Sequence, residues 1–273
     1  MATIVLLLGL LGAATVQGDA VCLGFIQEGL LPLDVYVAGT EFDGFVALAK
    51  EQDLVYVNGP GLGRLKAGET CRVVRPVGRV KHPVTAVALG IYYRELATVK
   101  VESVGGGSAT ASVAASCQNI LKGDLVLPLE PRAPVRFSGD LSGRLTPVPG
   151  GGLSSVIVFG LDDRQELAEG QVCFIGIGAR DGVKVGDRFM ICRTQPAFEP
   201  QDLALEGSGQ GRSYEFVLEG ERKGELSSAL DKRVLPERVM GDLLVLRTSE
   251  TTSVARIINS RAEIRLGDLV VRR

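Results

Sequence analysis

Val172-Cys173-Phe174-Ile175, then Val183-Lys184-Val185-Gly186-Asp187, then Ile191-Cys192-Arg193 reads as strand, turn, strand. The same order stands earlier in the chain as Leu54-Val55-Tyr56-Val57, Leu65-Lys66-Ala67-Gly68-Glu69 and Val73-Val74-Arg75. Each later residue lies 118 positions after its counterpart (54 to 172), so the internal spacing is identical. A second block, Arg94, Val101, Ala111, Ser116 and Ile120-Leu121-Lys122-Gly123-Asp124-Leu125-Val126, returns as Arg238, Val245, Ala255, Ser260 and Ile264-Arg265-Leu266-Gly267-Asp268-Leu269-Val270, here 144 positions on (124 to 268). The offsets differ by 26, which places an insertion between the two blocks of the later copy. Upstream, Val35-Tyr36-Val37-Ala38-Gly39 has its counterpart in Val156-Ile157-Val158-Phe159-Gly160. Self-similarity at a fixed period marks one structural unit made more than once.

Each copy reads as all-β. The runs at 54–57, 71–75, 97–104, 109–114 and 125–127 are short, rich in Val, Ile and Thr, and bounded by Gly, Asp or Asn. The expected fold is two tandem duplicated small β-barrel-like domains, because closing a sheet removes the exposed edges that many short strands create. The boundaries are a lead-in at 21–32, repeat 1 at 33–130, a linker at 131–152 with Pro131, Pro134, Pro147, Pro149 and Gly150-Gly151-Gly152, and repeat 2 at 153–273 with its insertion at about 198–232. Gly68, Gly123, Gly186 and Gly267 each precede an acid (Glu69, Asp124, Asp187 and Asp268) at a strand entry. Glycine supplies a backbone angle costly for other residues, and the acid caps backbone donors of the turn. Their recurrence makes them turn residues before it makes them catalytic acids.

Composition narrows function by exclusion. The 273 residues carry 30 Lys+Arg against 32 Asp+Glu, a net charge of −2, so no global field recruits nucleic acid. His82 is the single histidine, which rules out multi-histidine metal sites, and its place in Arg79-Val80-Lys81-His82-Pro83 reads as a surface loop. Gly59-Pro60-Gly61-Leu62-Gly63 has the wrong glycine spacing for a dinucleotide fingerprint and leads into another strand. Asp162-Asp163 with Glu166 and Glu169 lacks EF-hand spacing and reads as a solvated loop. Arg72, Arg75, Arg79 and Lys81 form a local basic run able to meet an anionic polymer, or simply water. No catalytic residue, cofactor or metal ligand is expected.

The front of the chain points outward from the cytoplasm. Residues 4–15, IVLLLGLLGAAT, are uncharged and apolar, too short to span a bilayer but of signal-core length, and cleavage after Gly18 or Ala20 fits. The expectation is a signal peptide or hydrophobic segment at 1–20 and no membrane span after cleavage; a buried N-terminal element and a retained docking tail are the alternatives. Cys22, Cys71, Cys117, Cys173 and Cys192 fit no CxxC spacing. One or two disulfides are allowed in an oxidising compartment, while Cys71, Cys173 and Cys192 lie in apolar runs where Cys acts as a small buried hydrophobe.

The motif carried by Gly182-Val183-Lys184-Val185-Gly186-Asp187-Arg188-Phe189 and by Ile264-Arg265-Leu266-Gly267-Asp268-Leu269-Val270 resembles repeats of exported bacterial envelope proteins. It is similar to the C-terminal domain of flagellar assembly protein T and to β-rich segments that accompany LysM modules in peptidoglycan-associated proteins. The resemblance implies an exported, non-enzymatic binding or assembly role. The leading expectation is therefore a periplasmic or extracellular structural component that meets an envelope protein or copies of itself. A module for cell-wall or other extracellular polysaccharide comes second, and a carboxylate-based hydrolase third. The insertion is the place for specificity, and within it Phe198, Tyr214 and Phe216 are the candidate contact residues.

Overall fold

A computed structural model describes residues 22–41, 52–130, 135, 152–194 and 237–273. The expected signal segment, nearly all of the linker, and the insertion with Phe198, Tyr214 and Phe216 lie outside the described residues. Within them the chain is all-β.

The first half contains β1 (Phe25–Gln27), β2 (Tyr36–Thr40), β3 (Leu54–Asn58), β4 (Thr70–Lys81), β5 (Ala88–Gly105), β6 (Ser108–Ser116) and β7 (Leu125–Pro128). They form one antiparallel sheet in the order β1-β5-β4-β7-β2-β3-β6, and β6 comes round to pair with β5 as well. Alternation of inward and outward side chains along β3 and β6 sends Val55, Val57, Ala109, Ala111 and Val113 inward. They meet Val37, Cys71, Val73, Val99, Val101 and Val126 in one apolar cluster. Small and β-branched side chains suit so narrow an interior.

The second half contains β8 (Ser154–Gly160), β9 (Glu166–Leu167), β10 (Val172–Ile175), β11 (Arg188–Arg193), β12 (Arg238–Thr248), β13 (Ser253–Ser260), β14 (Ile264–Arg265) and β15 (Leu269–Arg272). Six of these close into a barrel in the order β10-β13-β12-β11-β15-β8, while β9 and β14 pair separately. Ile157, Cys173, Ile175, Phe189, Ile191, Val245, Ile257 and Val270 fill it.

The lead-in carries β1, which adds to β5 with Phe25 opposite Tyr93 and Gln27 opposite Ile91. One element departs from the sequence reading. The stretch read as a variable loop around His82 is instead the end of a long hairpin, in which β4 and β5 stay paired from Arg75 opposite Arg94 to Lys81 opposite Ala88. Pro76 and Gly78 hide this hairpin in the sequence. They are tolerated because β7 pairs only with residues 71–74 of β4, so the outer length of β4 is a free edge where a missing N–H costs little, and the ladder shifts register between Pro76 and Gly78. This outer hairpin is an arm that lies against the second half.

Candidate functional site

The recurring turn residues come first, since each pairs a glycine with an acid at a strand entry. Gly68, Gly123, Gly186 and Gly267 have φ of 84°, 89°, 92° and 92°. The following acids accept from the backbone three residues back: Lys66 N–H to Glu69 (3.1 Å), Leu121 N–H to Asp124 (2.6 Å), Lys184 N–H to Asp187 (2.8 Å) and Arg265 N–H to Asp268 (2.8 Å). Asp124 and Asp268 are buried, and each receives a two-point guanidinium bond. Arg75 Nε and Nη2 donate to Asp124 at 2.7 and 2.8 Å, and Arg193 donates to Asp268 at the same 2.7 and 2.8 Å. Each arginine also donates to a neighbouring carbonyl, that of Asn119 or Glu263, at 2.9 Å. The carboxylate hydrogen bonds raise both guanidinium pKa values against the opposing pull of burial. Asp187 is taken by Arg272. Carboxylates bonded in this way tie turns to strands.

The two halves meet across an apolar, aromatic junction. Leu23, Ile26, Val80 and Tyr92 of the first half pack with Val158, Val172, Phe174 and Val254 of the second. The Tyr92 ring lies 4.8 Å from Phe159 and 5.5 Å from Phe174, edge-on to the latter. Beside this cluster Glu95, 4% exposed, receives Arg72 from its own half at 3.2 Å and Arg247 from the other at 3.0 Å. Both arginines reach the exposed Glu130 too, at 3.7 and 3.2 Å. Their guanidinium carbons lie 4.8 and 5.0 Å from the centre of the Phe25 ring, which stacks on Tyr93 at 5.2 Å. A buried charge persists only when paired, so this cluster fixes how the halves face each other.

At the rim of the junction, the arm and the end of β8 enclose a cleft of about 260 Å³. Its walls include Arg79, Tyr92 and Arg94 from the arm and Phe159 and Asp163 from the second half. Arg94 pairs with Asp162 at 3.4 Å, and Asp162 and Asp163 both have φ of 60°, a conformation costly outside glycine.

The remaining residues singled out by sequence are dispersed. The basic run does not form one patch: Arg72 is buried against Glu95, Arg75 is bound to Asp124, and only Arg79 and Lys81 stay exposed. His82 sits at the arm's turn, where Nδ1 accepts from Val84 N–H (3.3 Å) and Thr85 N–H (3.2 Å). The acids after Gly160 separate, with Asp162 on Arg94 and Glu166 on Arg265. Among the described residues no group of three or more His, Cys, Asp or Glu is placed to hold a metal ion. Cys22 and Cys117 form a disulfide with Cα atoms 6.2 Å apart. Cys71, Cys173 and Cys192 are buried free thiols, pushed up by burial to about 11, 12 and 11.

Sequence reasoning missed Phe25, Tyr92, Glu95 and Arg247. The available signal was Tyr92-Tyr93, an aromatic pair in a chain with only 5 Tyr and no Trp. Comparison with protein-family models and with curated proteins gives no match to this chain.

Proposed function

We propose that this protein is an exported, non-enzymatic scaffold of the bacterial envelope, made of one small barrel unit twice over and fused so that its loops are held at a fixed separation for a protein partner or a second copy. The observation that carries this reading is the junction: an apolar cluster drawn from both halves, flanked by Glu95 buried between Arg72 and Arg247. Flexibly tethered modules have no need of such an interface, whereas a spacer does.

Support for one unit made twice comes from hydrogen bonds that recur at the sequence offsets. Gly68 N–H donates to Val101 O at 2.7 Å and Gly186 N–H to Val245 O at 2.9 Å. Cys117 N–H donates to Leu96 O and Arg261 N–H to Met240 O, both at 2.8 Å. The register shift at Val73/Val74 has its counterpart at Ile191/Cys192. Support for export comes from the Cys22–Cys117 disulfide, since such bonds persist in oxidising compartments. The resemblance to repeats of flagellar assembly protein T and its envelope relatives supports the same compartment.

Light scattering after size exclusion, paired with co-sedimentation on purified sacculi, tests the reading. Self-association or capture of an envelope protein, with the chain left in the supernatant, is expected. A monomer that pellets with sacculi replaces the scaffold by a wall-glycan module.

A further inference from the structure

We propose that the Cys22–Cys117 disulfide is a redox latch on the junction: thiol–disulfide exchange at this bond sets whether the lead-in clamps the two halves together. This goes beyond the scaffold reading and rests only on the junction, not on the compartment or the partner.

The lead-in is a strap laid across both halves. β1 makes three ladder pairs, all with β5, and stands at the end of its sheet. So short an edge strand holds weakly through its own ladder. What it buries is out of proportion to that ladder, since Leu23, Phe25 and Ile26 are all nearly inaccessible. Leu23 and Ile26 belong to the apolar cluster that joins the halves. The Phe25 ring is the shared platform for Arg72 of the first half and Arg247 of the second, at 4.8 and 5.0 Å. Gly24, with φ of 66°, lets the backbone lie flush on the junction, because a Cβ there would stand 2.6 Å from the Tyr92 ring. Lifting the strap therefore removes two side chains from the apolar contact and the ring from beside both arginines that hold Glu95.

The crosslink is placed to govern that strap. Cys22 directly precedes Leu23, and Cys117 is fixed to the sheet by its N–H, which donates to Leu96 O of β5 at 2.8 Å. Cys22 has φ of 79°, a conformation costly outside glycine, so the pairing is made against local backbone preference. The position of Cys117 recurs in the second half as Arg261, whose N–H makes the same 2.8 Å bond to Met240 O. The turn itself thus has no need of a cysteine, and one stands only in the half that carries the strap. Cys117 is exposed and Cys22 half-buried, open to an attacking thiolate. The other three thiols are buried and raised to about 11 or 12, which confines exchange to this pair.

The reductant is a dithiol. One of its thiolates attacks Cys117 Sγ, and Cys22 Sγ departs as a thiolate that takes up a proton. The second thiolate then displaces Cys117 from the mixed disulfide, and Cys117 takes up a proton in turn. The protein gains two electrons and two protons, and the dithiol becomes a cyclic disulfide. Oxidation by a disulfide runs the same steps backwards and closes the latch.

Amide hydrogen exchange and scanning calorimetry on the folded full chain, oxidised and after dithiothreitol, test the latch. Reduction is expected to speed exchange across residues 23–27 by about tenfold or more while residues 189–191, inside the closed barrel, stay protected. The single melting transition of the oxidised protein is expected to split into two. Cys22→Ser combined with Cys117→Ser is expected to behave as the reduced chain does and to ignore dithiothreitol. Unchanged exchange at residues 23–27 after reduction overturns the proposal, because the strap then stays without the bond. A strap that loosens while one transition persists at lower Tm overturns it too, leaving the disulfide a plain staple, as does exchange that rises equally at residues 189–191. Two transitions already present in the oxidised protein leave no coupling for the bond to control, and overturn it as well. Self-association and sacculus sedimentation of the oxidised chain read the scaffold role separately, so failure of one is distinguishable from failure of the other.

Discussion

Asp124 and Asp268 show what a recurring acid is for. Each accepts from its own turn and from a strand arginine at the same distances, so removing the charge leaves a guanidinium and an amide without their acceptor in a half-buried place. Breaking a fully buried pair costs about 3–5 kcal/mol, and with Arg193 29% exposed solvent recovers part of that. Asp268→Ala is therefore expected to lower unfolding free energy by about 2–3 kcal/mol. Gly267→Ala, which forces an L side chain to a φ of 92°, is expected to cost about 1–2 kcal/mol. Urea unfolding measures both, and a loss below 1 kcal/mol for Asp268→Ala would show that the pair does not hold the turn.

Among the elements, legibility followed how local the determinant is. A turn acid and the amide it caps are three residues apart, so Gly-Asp before a strand can be read without knowing the fold. The arm is the opposite case. Pro76 and Gly78 argue against a strand in isolation, and only the absence of a second neighbour on the β7 side of β4 beyond Val74 makes them acceptable, while Pro83 stands in the turn of the hairpin. β1 is similar: Phe25-Ile26-Gln27 has no period of its own and becomes a strand because β5 offers it an edge and Cys22 is tied to Cys117 at the end of the neighbouring β6. That crosslink spans a sequence separation of 95, so its loss is expected to cost about 2–5 kcal/mol. The chain denatured without reductant is expected to titrate three thiols, and five would mean that β1 is not anchored. In the folded protein at pH 8 none of the three is expected to react, because burial raises all of them to about 11 or 12.

At the level of the whole molecule, comparison of paired strands identifies where the halves touch. β3 alternates, with Tyr56 39% exposed between Val55 and Val57, whereas its counterpart β10 is buried at all four positions. Cys173 and Ile175 face the barrel interior, and Phe174 faces the other half against Tyr92. A strand buried on both faces reads as an unbroken apolar run, so Val172-Cys173-Phe174-Ile175 contained the junction in its composition but not the identity of what covers it. Coupling through that face has a thermodynamic consequence. If the junction binds the halves into one unit, scanning calorimetry is expected to show a single two-state transition for the whole chain. Phe174→Ala removes a ring from the junction, costing about 3–5 kcal/mol, and Ile191→Ala removes an apolar group from the interior of the closed barrel, costing about 2–5 kcal/mol. The first is expected to split the transition into two, since it weakens what joins the halves, while the second lowers Tm and keeps one transition. A single transition in Phe174→Ala would place the coupling elsewhere, and two transitions in the unaltered protein would mean that the halves melt independently.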